Sequence, residues 1–381
     1  MNFINVWDKN KIKKGIDELC RNRLFYLSRI LNYPLLQPEV LQITMTNRCN
    51  LSCRMCFVSH YVTKPEEEMP VSQILDLIDQ AKNMGVRTVV LSGGEPFLRE
   101  DIYDIFKHCS KKGIWTVVTT NGTLLENKLE KIIASKASHL HFSVDGLEET
   151  HDYIRGEGSF KKVVGAIRKI ADFKYKTGQG PSTSLACVIM KRNIDDLPGM
   201  FRLADELKMD VFDPLPLLPD NTDFTEFQNK NVADLVLNSE ADALRLKEAF
   251  KEISNIRAKY VKLNPSFNLP LFEKYCSRRL KSCHWKCFAG YKTIFITLSD
   301  PDRSGKKVPC IFMCKGHIIL GGDIRSLWFS KKASQLRKEI KGCRTFCFQP
   351  CFYIPKFFHL IKSKLKTGNL YSDDKKGKSI G

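Results

Sequence analysis

The stretch EVLQITMTNRCNLSCRMCFVSHY, residues 39–61, runs an alternating, β-rich segment straight into three cysteines, Cys49, Cys53 and Cys56. The alternation over 39–46 predicts a strand, so the C-x3-C-x2-C loop falls at a strand's C-terminal end. Three thiols is an awkward number. A disulfide takes two, and a closed structural zinc site takes four. Three thiolates can hold three corners of an iron–sulfur cube and leave the fourth iron open to another ligand. The alternatives are three structural thiols or a zinc knuckle, for which His60 is the nearby substitute for a fourth cysteine.

Outward from this loop the chain alternates strands and helices. VSQILDLIDQAKNMG (71–85) has apolar residues at helical spacing and a glycine stop. RTVVLSGG (87–94), IWTVVTTNG (114–122) and HLHFSVDG (139–146) read as short strands, the second closed by an Asn-Gly turn. In the third, His141, Ser143 and Asp145 share one face by the period of two. REDIYDIFKHCSKKG (99–113), LLENKLEKIIASK (124–136) and SFKKVVGAIRKIADFKYKTG (159–178) read as the helices between them. STSLACVIM (182–190), DDLPGMFRLADELKM (195–209) and DVFDPLPLL (210–218) complete the series. Such alternation implies right-handed βαβ units around a parallel sheet. About six repeats predict an α/β fold, a partial (β/α)6 parallel barrel over 39–220, with functional residues at the strands' C-terminal ends. The three-cysteine loop, GGEP, TTNG and SVDG all fall there.

The remaining segments divide into an N-terminal helical arm (1–38), a helical connector (221–275), a smaller cysteine-rich α+β extension (276–352) and a basic tail (353–381). The chain has 381 residues and 43% hydrophobic content, enough for a substantial core. No run of eighteen apolar residues and no signal-peptide pattern occurs, so a soluble cytoplasmic protein is expected. Three of the 14 cysteines lie at 49–56 and eight between 276 and 351. In a large chain with no export signal, such clusters point to metal or redox chemistry rather than a disulfide framework. Cys20, Cys109 and Cys187 are isolated and read as small buried apolar residues. The formal charge of +19 is spread along the chain with no nucleic-acid-binding signature, so it reads as solvated surface and nucleic acid is not the expected partner. The basic amphipathic ends allow peripheral membrane contact.

C-x3-C-x2-C after a first strand, with GGEP after the second, resembles the radical S-adenosylmethionine enzymes over about half the chain. The resemblance implies that Cys49, Cys53 and Cys56 hold a 4Fe–4S cluster that binds S-adenosylmethionine, with Met55 near the adenine. Gly93, Gly94, Glu95 and Pro96 resemble the motif that receives the methionine amino group. Ser143 resembles the position that contacts the ribose or carboxylate. Arg155 resembles the arginine that pairs with the methionine carboxylate; a surface salt bridge is its other reading. Asn121 and Asp145 would order the site. The implied chemistry is one-electron cleavage of the sulfonium, giving a 5′-deoxyadenosyl radical that takes a hydrogen atom from substrate, with an electron from a reductant such as ferredoxin or flavodoxin.

The second cysteine group resembles the SPASM and twitch extensions of that family, in which a β-hairpin and a later cysteine pair hold an auxiliary 4Fe–4S cluster. Its G-x4-C element (Gly305 to Cys310) and the segment GGDIRSLWFSKKASQLRKEIKGC (321–343) match. The last three cysteines, spaced C-x3-C-x3-C, depart from the full SPASM pattern. One auxiliary cluster on Cys287, Cys310, Cys343 and Cys347 is expected, with Cys351 able to replace one of them. Cys276, Cys283 and Cys314 are left for a second cluster or none, and zinc suits four thiolates equally. The expected function is hydrogen-atom abstraction from a peptide side chain or a small alcohol or sugar, in an oxidative or maturation reaction. The alternative is a zinc-dependent nucleic-acid-binding protein.

Overall fold

The first predicted strand, β1 (Val40–Thr46), lies inside a parallel sheet flanked by partners from both ends of the chain. The computed structural model describes residues 9–56, 64–217, 234–277, 279–281, 286–297, 313–314 and 323–342. Before β1 comes helix α1 (Lys9–Leu31). After it follow α2 (Val71–Asn83), β2 (Thr88–Gly93), α3 (Ile102–Lys111), β3 (Trp115–Thr120), α4 (Leu129–Ala134), β4 (His139–Ser143), α5 (Glu148–Arg155) and α6 (Ser159–Thr177). Then come β5 (Ser182–Ile189), α7 (Leu197–Glu206), β6 (Val211–Pro216), α8 (Glu240–Asn255), β7 (Lys262–Leu263) and α9 (Leu269–Cys276). The described C-terminal elements are β8 (Thr293–Thr297), β9 (Met313–Cys314), α10 (Ile324–Trp328) and α11 (Lys331–Gly342). Among the described residues the sheet order is β7-β6-β5-β4-β3-β2-β1-β8-β9, with every neighbouring pair parallel.

The six expected βα repeats are therefore present as β1 to β6 in consecutive order, the order that short right-handed crossovers produce. Three further strands extend the sheet. Strand β7 falls in the segment read as a helical connector. Strand β8 pairs with β1, Val40 against Thr293 through Ile43 against Ile296. A hairpin was expected in the extension, yet β8 and β9 run parallel, Ile296 against Met313. Helix α4 is also shorter than its apolar spacing suggests, because its first turn at 124–128 is spent on a bend.

The two faces of the sheet differ. Leu41, Ile43, Val89, Leu91, Val118, Leu140, Phe142, Leu185 and Phe212 are completely buried. They form one core with Ile74 and Ile78 of α2, Ile105 and Phe106 of α3, Ile167 of α6, Met200 of α7 and Leu246 of α8. The opposite face carries Gln42, Thr44, Ser92, Thr119, His139, His141, Ser143, Ser184 and Asp213. Parallel sheets covered on both faces are apolar on both. Here one face is polar, and several of its residues are only half-buried. This is the wall of an open barrel.

Helix α1 packs on the C-terminal elements: Phe25 joins Phe288 and Tyr291 in a small cluster, and Arg29 donates to the carbonyls of Cys287 (3.0 Å) and Lys341 (3.2 Å). Cys109 and Cys187 are buried, as expected for small apolar residues; Cys20, on the outer side of α1, is exposed instead. Among the described residues no helix is long and apolar enough to cross a membrane.

Candidate active site at the sheet edge

The loops that follow β1 and β2 meet backbone to backbone. The Gly94 N–H donates to the Thr46 carbonyl (2.7 Å), and the Glu95 N–H donates to the Arg48 carbonyl (2.8 Å). This approach is why two glycines stand here. Gly93 has φ +133°, and a Cβ on it would lie 2.1 Å from the Thr46 carbonyl oxygen. A Cβ on Gly94 would lie 2.1 Å from the Arg48 carbonyl oxygen. Neither neighbour is a side chain that can rotate away. Gly94→Ala is therefore expected to lower stability by ~3 kcal/mol, the upper end of overpacking costs. Gly165→Ala, inside α6 with nothing within 4 Å of its Cβ position, is expected to raise it by about 0.5–1 kcal/mol. Urea unfolding of the two variants checks the opposite signs.

Glu95 is fully buried. Its Oε1 accepts from the Phe97 N–H (3.1 Å) and the Thr120 hydroxyl (2.8 Å), and its Oε2 from the Asn121 N–H (2.8 Å). Burial pushes its pKa up to about 6, against the pull of these donors. Sequence reasoning cast Glu95 as the acceptor for a ligand's ammonium group. The structure gives it a further job, fastening the end of β2 to the end of β3, which uses three of a carboxylate's roughly four lone-pair positions. Pro96 opens the buried turn that follows.

The cysteine loop is fixed from three sides. On the first, Thr46 Oγ1 and Arg48 both bond to Glu68, with Arg48 Nε at 2.7 Å and Nη2 at 3.1 Å. Arg99 sits behind them, donating to the carbonyls of Met45 (3.1 Å) and Met69 (2.9 Å). On the second side, Asn121 Nδ2 donates to Asn50 Oδ1 (3.0 Å) and lies 3.8 Å from Cys49 Sγ. On the third, the Arg54 N–H donates to the Ile154 carbonyl at the end of α5 (2.9 Å). Met55 packs against Ile154, Met190, Leu217 and Leu235, an apolar wall beside the loop.

Arg155 is held at the same place. Its Nε donates to Asp145 Oδ2 (2.6 Å), and Nη1 lies 3.9 Å from Cys53 Sγ. Its side chain is 10% exposed and that of Asp145 0%, which rules out the surface-salt-bridge reading. Burial works against the guanidinium's charge, but Asp145 outweighs it and raises the pKa. Asp145 Oδ1 accepts from the Val188 N–H (2.8 Å), its own N–H donates to His151 Nδ1 (3.1 Å), and its carbonyl accepts from Asn193 (2.8 Å). Ser143 ends β4 on the polar face, half-buried beside Ala186.

The three thiols influence one another electrostatically and have sulfur-directed donors at hand: the Leu51 N–H (3.4 Å) and Asn121 at Cys49, Arg155 at Cys53. Burial pushes Cys53 up to about 11 and raises Cys49. Cys49 and Cys53 are neutral thiols at pH 7 until a metal displaces their protons. Three cysteines on one short loop, with N–H donors aimed at the sulfurs of Cys49 and Cys53, are a donor set that fits three corners of an iron–sulfur cluster. Among the described residues no three His, Cys, Asp or Glu side chains converge as a site for a single metal ion.

The second cysteine group is only partly in view. Cys287 is buried, its sulfur accepting from the Ala289 N–H (3.4 Å), and Cys276 is buried at the end of α9. Cys283, Cys310, Cys343, Cys347, Cys351 and His60 lie outside the described residues. Sequence reasoning missed Glu68 and Arg48, which bond to each other beside Thr46, and Arg99, His151 and Asn193, which bond to backbone groups behind the site. Each lies among other polar residues, Glu68 in PEEEMP, Arg48 in TNRCN and His151 in EETHD, so no local signal flags it.

The family model of the Radical SAM superfamily matches residues 43–204, a span that includes the cysteine loop, GGEP, Asp145 and Arg155. The chain carries a radical SAM domain. Among curated relatives, it is 30% identical over 184 residues to the Fe-coproporphyrin III synthase of Methanosarcina barkeri, covering 48% of this chain and 45% of that protein. It is 28% identical over 169 residues to the mycofactocin maturase MftC of Mycolicibacterium smegmatis, covering 44% and 42%. The matched region thus spans under half the length of these two relatives. The fold is similar to that of SuiB of Streptococcus suis bound to the precursor peptide SuiA, with a TM-score of 0.61 and 17% identity, covering 90% of this chain and 75% of SuiB.

Proposed function

We propose that the chain is an oxidoreductase or maturase in which Cys49, Cys53 and Cys56 hold a 4Fe–4S cluster and the adjoining edge binds S-adenosylmethionine. The observation that carries this reading is the meeting of three cysteines, the Gly93–Pro96 turn and the buried Arg155 at one sheet edge, with Arg155 3.9 Å from Cys53. When bound, the cluster and S-adenosylmethionine would supply the one-electron chemistry that removes a hydrogen atom from substrate.

The chain's own residues do the placing. Arg155 keeps its remaining guanidinium N–H groups for a carboxylate, the planar donor set that an amino-acid moiety suits. Glu95 has one lone-pair position left for an ammonium, and Asn121 steadies Cys49. Met55 and its apolar wall would cover a purine ring, and Ser143 lies within the same polar face for a hydroxyl. The names of the curated relatives include a porphyrin-forming synthase and a maturase. The substrate class accordingly stays a peptide side chain or a small molecule presented to the polar face. A one-electron protein reductant such as ferredoxin or flavodoxin would serve the cluster. Exposed Leu24, Leu27, Ile30 and Leu31 on the basic helix α1 are the feature that suits peripheral membrane contact.

The test is anaerobic purification and assay. Brown protein with about four irons per cluster and dithionite-dependent release of 5′-deoxyadenosine are expected. Colourless protein with stoichiometric zinc would overturn the reading in favour of a zinc-binding protein. A second, auxiliary 4Fe–4S cluster on Cys287, Cys310, Cys343 and Cys347, with Cys351 in reserve, belongs to the same proposal. Cys310→Ala is expected to lower iron content while leaving part of the cofactor cleavage; unchanged iron would remove the second cluster.

A further inference from the structure

The polar face of the sheet carries a chain of side chains that cofactor binding does not use. Ser182 Oγ donates to the Ser138 carbonyl (3.2 Å) and lies 2.6 Å from His139 Nδ1. His139 Nε2 lies 2.8 Å from Ser184 Oγ, which lies 2.5 Å from His141 Nδ1. His141 Nε2 then faces Asp213 Oδ2 across 3.7 Å, and Asp213 Oδ1 accepts from Asn264 Nδ2 (2.6 Å). The chain crosses β4, β5 and β6. It starts at the N-terminal ends of β4 and β5 and advances toward the edge where the cysteine loop sits.

A neutral imidazole has one donor nitrogen and one acceptor nitrogen, and a hydroxyl is both. The chain therefore has two complete arrangements. In one, every N–H and O–H points toward Ser182. In the other, each points toward Asp213. Conversion between them carries one proton from end to end without moving a heavy atom. Burial holds both imidazoles neutral, lowering each to about 4, and raises Asp213 to about 6. The charged groups facing His139 from neighbouring elements are Asp210 and Lys174, which are paired with each other at 2.6 Å. The 3.7 Å gap between His141 and Asp213 is too long for a direct hydrogen bond. A hydroxyl or amine seated beside it can reach both.

We propose that Ser182, His139, Ser184, His141 and Asp213 form a proton relay whose inner end, Asp213, takes a proton from an O–H or N–H group of the molecule bound against this face. That bond breaks with its electron pair left on the oxygen or nitrogen, and an O–H bond forms at Asp213 Oδ2. The bound oxygen or nitrogen, seated in the 3.7 Å gap, relays that proton from Asp213 to His141 Nε2 as the Nδ1 proton moves to Ser184. Ser184 hands its own to His139, His139 to Ser182, and Ser182 releases one to water. No oxidant or reductant is consumed. That the bound molecule is the enzyme's substrate rests on the functional reading above; the relay itself does not.

The experiment is 15N NMR of the full-length chain with labelled histidine, titrated from pH 5 to 8, with His139→Gln and His141→Gln used for assignment. Ionisation of Asp213 should switch the tautomers of both histidines together, with one shared midpoint. Ser184→Ala should confine the switch to His141, and Asp213→Asn should abolish it in both. Independent midpoints in the parent chain, or a switch that survives at His139 in Ser184→Ala or in either ring in Asp213→Asn, would overturn the relay. The measurement needs no cofactor cleavage. Loss of the relay leaves the radical reading standing, and failure to release 5′-deoxyadenosine leaves the relay standing.

Discussion

Cys53→Ala is expected to abolish dithionite-dependent release of 5′-deoxyadenosine and to remove about four irons per chain. Cys53 lies 3.9 Å from Arg155 Nη1 and is the most deeply buried of the three, at 8% exposure. Its loss leaves two ligands, too few to keep a cluster in place. Cys109→Ala is the matched control. Cys109 is also buried, in the core between α3 and its neighbours, with its thiol pushed up to about 12 by burial. Its removal takes away one small apolar group, so a modest loss of stability with unchanged iron and unchanged cofactor cleavage is expected. Undiminished 5′-deoxyadenosine from Cys53→Ala would overturn the assignment of this loop.

Much of this architecture was legible because a parallel sheet announces itself locally. Each short strand had to be apolar on its helix-covered face, as in Leu140 and Phe142 of β4. Each helix had to repeat apolar residues at helical spacing, as in Ile74, Leu77, Ile78 and Ala81 of α2. The site motifs were legible because they follow strands. Long-range partnerships were not. Strand β8 pairs with β1 across some 250 residues, and nothing in TIFIT says which edge it joins or in which direction. Strand β7 has two residues, below the length at which alternation can be read. Arg155 was read as a partner for a carboxylate or as a surface salt bridge, and its burial became visible only when the fold placed Asp145 beside it and closed both off from water. Glu95 was read for its charge toward a ligand, while its three protein donors come from backbone and side-chain groups at the ends of two different strands.

Asp145→Ala should be the most destabilising single change at the site, because it leaves a guanidinium buried without its counter-charge. Breaking a buried pair by removing one partner costs about 3–5 kcal/mol. The Val188 N–H, which donates to Asp145 Oδ1 at 2.8 Å, also loses its acceptor, adding ~1 kcal/mol or more. Asp145→Asn keeps an acceptor for Val188 and should lie between the parent and the alanine variant. The double variant Asp145→Ala, Arg155→Met separates charge from packing. If the uncompensated cation dominates, the double variant should recover most of the stability lost by Asp145→Ala, since replacing a buried pair by apolar groups is often near neutral. It should nevertheless release no 5′-deoxyadenosine, because the proposed carboxylate clamp is gone. Urea unfolding midpoints read the first effect and product release the second. A double variant no more stable than Asp145→Ala would assign the loss to the hydrogen bonds that Asp145 makes to β5 rather than to its charge. The pair would then be a joint in the fold that lies next to Cys53, and the carboxylate-binding role of Arg155 would have to stand on product release alone.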